Sequence, residues 1–98
     1  MNVEILEEAR LDIADGVAFY DLQGENAGDY FYKRIFDDIS DLEDTAGVHA
    51  VYRGYHRKLA SRHPYIVYYR VVANGAEVVA VLDGRERPAD IEAVLRRR

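Results

Sequence analysis

Apolar residues recur at the spacing of an α-helix through the first quarter of the chain. A short apolar run at residues 3–6 predicts an edge strand. One stripe of apolar side chains then comprises Leu6, Ala9, Ile13, Val17 and Tyr20. Side chains at this spacing lie on one side of a helix, and that side faces a core. A second stripe, roughly opposite, comprises Leu11, Ala14, Ala18 and Leu22. A helix with two apolar sides lies between two layers or keeps one side for a partner.

A second helix is predicted after a turn at residues 24–28. Asn26 is placed to cap this helix, and Asp29 brings a carboxylate to the end that the helix dipole makes positive. Gly47 is expected to end it. Its core face comprises Phe31, Ile35, Ile39 and Leu42, widened by Tyr32 and Phe36. Because two helices joined by so short a turn usually lie antiparallel, this half predicts a helical hairpin.

The second half has the residue types and the alternation of β-strands. Strands are predicted at residues 55–60, 65–72 and 77–82, with 51–52 as a lead-in. Asn74-Gly75 predicts a tight hairpin between the last two strands, because both residues accept a positive φ. Pro88 and the charges around it predict a short final helix over residues 87–95.

The order of these elements, β-α-α-β-β-β-α, predicts an α+β fold. We expect a small antiparallel β-sheet with the N-terminal helical hairpin packed on one face. The 98 residues suit a single domain over residues 1–98, since so short a chain does not support two cores. With 49% apolar and 32% charged residues, the composition excludes a disordered or low-complexity chain.

Composition and spacing also exclude several kinds of site. The absence of cysteine excludes disulfides, thiolate zinc sites and cysteine nucleophiles. The three histidines, His49, His56 and His63, follow no known metal-ligand spacing, so no metal and no cofactor are expected. A group of carboxylates lacks the pattern of a calcium loop and is interpreted as a solvated helix end. This group comprises Asp37, Asp38, Asp41, Glu43 and Asp44.

The hydropathy pattern argues against a membrane protein. No apolar run approaches the roughly 18 residues that a membrane span requires. The N-terminus also lacks the basic and then apolar pattern of a signal peptide. We therefore expect a cytoplasmic protein with no membrane partner.

The charges are distributed unevenly along the chain. The formal net charge is −5, but residues 1–48 hold 13 acidic and 3 basic side chains, whereas residues 49–98 hold 5 acidic and 10 basic ones. Only Lys33 and Lys58 are lysines, and arginine suits bidentate recognition of phosphate or carboxylate. Two interpretations stay open: a basic face for a target, or two halves that attract each other within one fold.

Alternation along residues 65–72 divides the longest predicted strand into two faces. One face comprises Tyr65, Val67, Tyr69 and Val71, and the other comprises Ile66, Tyr68, Arg70 and Val72. One set should pack under the helices while the other faces outward. An open face of arginine and tyrosine suits nucleic acid, through phosphate contacts and base stacking, and it also suits a protein interface. Alternatively, tyrosine only fills the strand and arginine only adds solubility.

The second half resembles the ParE branch of the RelE/ParE toxin superfamily. The resemblance lies in Arg57-Lys58-Leu59, in the strand HPYIVYYRV at residues 63–71, and in the Leu-Asp-Gly-Arg segment at residues 82–85. The opening helix, with Glu8-Ala9 and Asp12-Ile13, is also similar, so the resemblance covers essentially the whole chain. It implies a RelE/ParE-like fold and a toxin of a bacterial type II toxin–antitoxin pair, often called a plasmid stabilisation protein.

Two targets occur in this superfamily. ParE-like members inhibit DNA gyrase without known catalytic chemistry, whereas RelE-like members cut mRNA on the ribosome with basic residues and usually a C-terminal tyrosine. Here the expected arginine after the sheet tyrosine falls on Ile66, the C-terminal tyrosine falls on Ile91, and one lysine falls near Leu59. Arg57 matches the other lysine position, and Arg85 keeps its match.

These departures favour a ParE-like toxin that acts by binding gyrase and is neutralised by a cognate antitoxin. The alternatives are a RelE-like endoribonuclease with a diverged active site, and an inert relative that only binds. No catalytic residue is expected. The target-binding candidates are Arg57, Arg62, Arg70, Arg85 and Arg87. The candidates for antitoxin binding or for self-association as a homodimer are Leu11, Ala14, Ala18 and Leu22, which on the other interpretation form an alanine-rich solvent face.

Overall fold

A computed structural model describes residues 2–98 of this protein. Its helices are α1 (Glu7–Asp21), α2 (Ala27–Ser40), α3 (Leu42–Thr45) and α4 (Pro88–Arg97). Its strands are β1 (Asn2–Ile5), β2 (Val51–Tyr52), β3 (Tyr55–Leu59), β4 (Tyr65–Val72) and β5 (Gly75–Asp83). The predicted α+β class and the predicted order of the main elements are confirmed.

The five strands form one sheet in the order β1-β5-β4-β3-β2. The pairs β2–β3, β3–β4 and β4–β5 are antiparallel, as predicted. Strand β1 differs, because it pairs in parallel with β5 and places Ile5 opposite Val78. The sheet is therefore mixed rather than wholly antiparallel. A parallel pair needs a long crossover connection, and the helical hairpin α1–α2 lies in the stretch that makes it.

One face of the sheet carries the helical hairpin. The predicted core stripes are confirmed there: Ala9 and Ile13 of α1 are buried, and Val17 and Tyr20 pack against the same core. The predicted core residues of α2 and α3 are buried with them, namely Phe31, Ile35, Ile39 and Leu42. From the sheet, this core takes Tyr65, Val67, Tyr69, Ala76, Val78 and Val81.

The other face of the sheet is covered, which corrects the expectation of an open arginine–tyrosine face. Ile91 and Leu95 of α4 pack on it in a second core with Ile66 and Tyr68. Tyr68 lies in this second core and is 1% exposed, whereas Tyr65 and Tyr69 belong to the core under the helical hairpin and are 8% and 0% exposed. These strand tyrosines cannot form a stacking platform for bases, because both faces of the sheet are covered.

Positive φ angles were expected in the β4–β5 turn but are found in the β2–β3 turn. The β4–β5 hairpin exists, but neither Asn74 nor Gly75 has a positive φ, and Gly75 is already the first residue of β5. There, a Cβ would overlap the carbonyl oxygen of Asn2, so glycine is required by the approach of β1. The positive-φ pair lies instead in the β2–β3 turn, at Arg53 (52°) and Gly54 (86°), which is the backbone of a type I′ turn.

The ends of α2 also differ from expectation. Asn26 precedes the helix with φ 62°, but its side chain makes no capping hydrogen bond. The carboxylate of Asp21, the last residue of α1, accepts the Gly28 N–H instead at 3.0 Å. Helix α2 ends at Ser40 rather than continuing to Gly47, which follows the short helix α3. The cap thus comes from the neighbouring helix, a contact that local spacing cannot reveal.

Asp38 departs from the predicted solvated helix end. It is buried, and its Oδ2 accepts hydrogen bonds from the Ser61 N–H at 3.0 Å and from the Ser61 hydroxyl at 3.3 Å. Lys58 Nζ donates to the Asp38 carbonyl oxygen at 2.8 Å. The other four carboxylates of the group are exposed. Asp38 therefore ties α2 to the β3–β4 loop, which borders the site described next.

Candidate functional site

Two of the five candidate arginines share one cleft. Arg57 on β3 and Arg85 in the β5–α4 loop line a concavity of about 350 Å³ beside the β3–β4 loop. We call it the arginine cleft. Its remaining lining comprises Leu59, Ala60, His63, Pro64, Tyr65, Ile66 and Gly84. Pairing of β3 with β4, and of β4 with β5, brings these loops to the same end of the sheet.

Arg57 is held by its surroundings but keeps free hydrogen-bonding capacity. It lies opposite Tyr68 in the β3–β4 pair, and its guanidinium carbon is 5.4 Å from the centroid of the Tyr52 ring. This distance is within the range of a cation–π contact. Its Nε is buried and has no hydrogen-bond partner within residues 2–98. Because an unpaired buried donor is costly, this Nε would gain from any acceptor that came within hydrogen-bonding distance of it.

Arg85 is exposed and is oriented by Asp83. Its Nε and Nη2 donate to the two Asp83 carboxylate oxygens at 3.1 and 2.8 Å, and its backbone N–H donates to the same carboxylate at 2.9 Å. These bonds lower the pKa of Asp83 and raise that of Arg85. The pair fixes the plane of the guanidinium while its Nη1 makes no hydrogen bond within the described chain.

The other three candidate arginines differ in how near they come to this cleft. Arg62 is exposed in the β3–β4 loop, between the lining residues Ala60 and His63. Arg87 precedes α4 and pairs with Asp90 at 3.0 Å. Arg70 pairs with Glu77 at 2.8 Å and lies five residues along β4 from Tyr65, about 16 Å at strand spacing. Arg70 is therefore separate from the cleft.

The second stripe of α1 is exposed. Leu11 is 58% and Leu22 is 87% exposed, and both Ala14 and Ala18 are exposed between them. Phe19, which the stripe analysis omitted, lies next to it and is 43% exposed. Because Phe19 directly follows Ala18 on the helix, the sequence alone could have placed it at the border of the stripe. The structure thus leaves an apolar helix face without cover in the isolated chain, with an aromatic side chain at its border.

A chain from a solved structure has the same architecture. That structure is described as "Chromosomal ParDE TA system from P. aeruginosa"; the two chains superpose with a TM-score of 0.75 at 16% identity, over 85% of this chain and 95% of that chain. This chain has a ParE-like fold. No family model and no curated protein matches the sequence.

Within this ParE-like fold, the positions that lack RelE-type residues have structural roles. Ile66 and Ile91 are 4% and 6% exposed and pack together in the core between α4 and the sheet. Leu59 is exposed at the rim of the arginine cleft. The two isoleucines therefore fill space where the resemblance expects an arginine and a tyrosine. The retained bases, Arg57 and Arg85, are the two that meet in the cleft.

His49 and His63 pack against aromatic side chains of the protein. Within residues 2–98, no group of three or more metal-ligating side chains is placed to hold an ion. The His49 ring contacts the Tyr69 hydroxyl, which also accepts the Gly47 N–H at 3.0 Å. His63 packs edge-on against Phe31 and Tyr20. Burial lowers the pKa of both His49 and His63, and Lys58 adds to the effect at His49.

These lowered pKa values predict a loss of stability in mild acid. A histidine whose pKa in the folded state lies below its usual value of 6.5 stabilises the fold fully above pH 6.5. Its contribution is lost as the pH falls from that value through the folded pKa, because the unfolded chain then binds more protons. We expect the urea concentration at the midpoint of unfolding to decrease when the pH is lowered from about 8 to about 5.5.

The slope of the urea midpoint against pH shows whether His49 and His63 cause the loss of stability. A His49→Gln/His63→Gln double variant should have a flatter profile over the same range. The single variants His49→Gln and His63→Gln should each flatten the profile in part. An unchanged slope in the double variant would show that other groups carry the pH dependence.

Arg98 makes a contact that the sequence pattern does not predict. Arg98 forms a bidentate pair with Asp12 of α1 at 2.8 and 2.9 Å and donates to the Val79 carbonyl at 2.8 Å. Asp12 in turn accepts the Val81 N–H at 3.0 Å. These bonds cover the edge of β5 beyond the end of β1.

No helix within residues 2–98 is both long and apolar enough to span a membrane.

Proposed function

We propose that this chain is the toxin of a type II toxin–antitoxin pair, that it inhibits DNA gyrase by binding, and that a cognate antitoxin neutralises it. One observation carries the proposal: a ParE-like fold in which Arg57 and Arg85 form an open cleft while Ile66 and Ile91 are buried. Guanidinium groups suit recognition of a carboxylate or a phosphate on a target. Gyrase is cytoplasmic, so the cytoplasm is the proposed place of action.

The two arginines of the cleft favour binding over RNA cleavage, because they cannot transfer the protons that cleavage requires. Cleavage requires a group that takes the proton of the 2′-hydroxyl and another that protonates the leaving oxygen. Arginine does neither at neutral pH, because its guanidinium stays protonated. The cleft holds two arginines that can bind an anion. The placement of two arginines in one cleft therefore supports binding of an anionic group of a target.

His63 supports a second candidate function, a RelE-like mRNA endoribonuclease with a diverged active site. It lines the arginine cleft, and its lowered pKa favours the neutral imidazole that a general base requires. Its Nδ1, however, is buried without a hydrogen-bond partner in the described chain, and its ring packs against Tyr20 and Phe31. This packing argues for a structural role, so the nuclease remains the second candidate.

The test is induced expression in a bacterial host without antitoxin. Growth, the supercoiling of a reporter plasmid and primer extension on abundant mRNAs are measured in the same cultures. We expect growth arrest with relaxed or cleaved plasmid and intact mRNA. Purified protein should inhibit supercoiling by purified gyrase, and this inhibition should be absent from a parallel preparation of the empty-vector host.

The other outcomes identify the alternatives. Codon-phased mRNA cuts with normal supercoiling would replace the gyrase proposal with the nuclease. Absence of growth arrest, with folded protein present in the cells, would indicate an inert relative that only binds partners.

A further inference from the structure

The outer edge of β3 is only partly covered by β2. Strand β2 pairs with the first two residues of β3, and the Ala50 carbonyl oxygen accepts the Arg57 N–H at 2.8 Å. Beyond Arg57, no strand of residues 2–98 pairs with β3 on this side. Leu59, the last residue of β3, therefore lies at an open edge of the sheet and is 66% exposed.

The pairing of β3 with β4 shows which backbone groups of β3 point outward. The Ala60 N–H donates to the Tyr65 carbonyl oxygen at 2.9 Å, so the backbone of Ala60 is turned toward β4. Bonded and non-bonded positions alternate in an antiparallel pair, so the backbone of Leu59 is turned away from β4. Its N–H and its carbonyl oxygen have no hydrogen-bond partner within residues 2–98. The open edge thus offers one donor and one acceptor at a single residue.

Other exposed edges of this sheet are blocked by arginine side chains. Arg10 Nε donates to the Ile5 carbonyl oxygen of β1 at 3.1 Å, and Arg98 donates to the Val79 carbonyl oxygen of β5 at 2.8 Å. Proteins usually cover strand edges, because unpaired backbone groups there accept a strand of another chain. Leu59 has no such cover in the described part of the chain. This contrast favours a partner strand at Leu59.

The charges beside Leu59 indicate the chemistry of that partner. Leu59 lines the arginine cleft together with Arg57 and Arg85. Arg57 forms no ion pair within residues 2–98, and Arg85 is paired only with Asp83. Two guanidinium groups beside one carboxylate leave the cleft positively charged. A carboxylate with a single charge complements this charge, and Arg57 has its donors free for it.

We propose that the arginine cleft and the open edge at Leu59 form one binding site for an extended, acidic peptide segment of a partner protein. A residue opposite Leu59 donates its N–H to the Leu59 carbonyl oxygen and accepts the Leu59 N–H. Its side chain lies on the cleft face, where a glutamate reaches Arg57 as its diagonal neighbour. Under the proposed function this segment belongs to gyrase, and that identity rests on the proposed function.

The space along the edge sets the direction and the length of the segment. An antiparallel residue makes both bonds with Leu59 by itself, whereas a parallel strand needs a residue on either side. Ala50 already lies opposite Arg57, since its carbonyl oxygen accepts the Arg57 N–H. The segment therefore turns away from the sheet within two residues after its glutamate. A short extended piece of a loop fits this site, and a long strand does not.

The test measures binding of the peptide acetyl-Ser-Thr-Glu-Thr-Ser-amide to the full chain by amide chemical shifts in NMR spectra. We expect saturable shifts at Arg57, Leu59 and Arg85. Replacing the glutamate of the peptide by glutamine should weaken binding at least about tenfold, because the charge-assisted bonds are lost. Methylating the glutamate nitrogen removes the donor to the Leu59 carbonyl oxygen and should weaken binding about fivefold.

Two variants of Leu59 separate its backbone from its side chain. Leu59→Pro removes the outward N–H and should weaken peptide binding about fivefold. The pairing of β3 with β4 should persist, because this N–H makes no bond to β4 and an edge strand accepts proline at such a position. Leu59→Ala keeps the N–H and should bind the peptide more tightly than Leu59→Pro. Arg70→Ala, which removes an arginine outside the cleft, is the matched control for charge and should bind like the original chain.

The outcomes separate this site from the proposed function. Equal binding of the glutamate and glutamine peptides, full affinity in Leu59→Pro, or no saturable shift would overturn the site, whatever the growth assay shows. Shifts at the cleft with a thymidine oligonucleotide but not with the peptide would replace it by a nucleic-acid site. Peptide binding in a chain that leaves gyrase active would keep the site and remove gyrase as the source of the segment. Where the chain does inhibit gyrase, Leu59→Pro should weaken that inhibition about fivefold.

Discussion

Replacing Phe31 by alanine is expected to destabilise the protein by about 4 kcal/mol, a large part of the stability of a domain of this size. Phe31 is fully buried where α1, α2 and the β3–β4 loop meet. Its ring lies 5.0 Å from the centroids of Tyr20 and His63 and 4.8 Å from that of Tyr65. The substitution removes these contacts and leaves a cavity. Urea unfolding measures the loss, and Tyr30→Ala, at a half-exposed neighbour, should cost less than about 1 kcal/mol.

A second substitution shows whether the cavity is the cause. A Cβ added at Gly16 of α1 would lie 2.5 Å from the Phe31 ring, so Gly16→Ala alone should be destabilising. In the Phe31→Ala chain the ring is gone, and the same substitution should cost much less or stabilise the helix. Additive effects in this double-mutant cycle would contradict the packing described between the two helices.

The core could be predicted from sequence because apolar periodicity is a local property. Each helix needs only its own stripe to be recognised, and Ile13, Phe31 and Ile35 lie where their stripes place them. What failed depended on contacts distant in the chain. The requirement for Gly75 comes from the backbone of Asn2, and the burial of Tyr68 comes from Ile91 and Leu95. No spacing rule within one element contains these approaches.

The candidate site was predicted in part for the same reason. The sequence indicates arginine as the candidate residue type, but the meeting of Arg57 with Arg85 depends on the register of β3, β4 and β5. Arg70 has the same chemistry and lies on a neighbouring strand, yet it is paired with Glu77 and distant from the cleft. Composition could not distinguish these cases, because it contains no information about where strands end.

Some carboxylates of the acidic half, residues 1–48, have a structural role. Asp38 accepts hydrogen bonds from Ser61, and Asp12 accepts the Val81 N–H, whereas the other carboxylates of residues 1–48 are exposed. The attraction between an acidic and a basic half therefore exists, as the Asp12–Arg98 pair shows. It does not use all the charges, since most carboxylates of residues 1–48 stay exposed.

An Arg57→Ala/Arg85→Ala double variant should no longer arrest growth under the proposed function. Both arginines line one cleft, and each charge-assisted hydrogen bond to a target is worth about 1.5–3 kcal/mol. Together their loss should weaken inhibition of purified gyrase by about 100-fold or more. Arg57→Lys should be intermediate, because an ammonium group keeps the charge but cannot present the planar fork beside Tyr52.

Arg70→Ala is the matched control, since it removes an exposed strand arginine outside the cleft. It should arrest growth and inhibit gyrase like the original chain, and thermal unfolding should show that all variants are folded. Arrest that survives the double substitution, or that is lost equally in Arg70→Ala, would place the target surface elsewhere. Because Arg57 and Arg70 have the same side chain on neighbouring strands, the comparison separates the position of the charge from its amount.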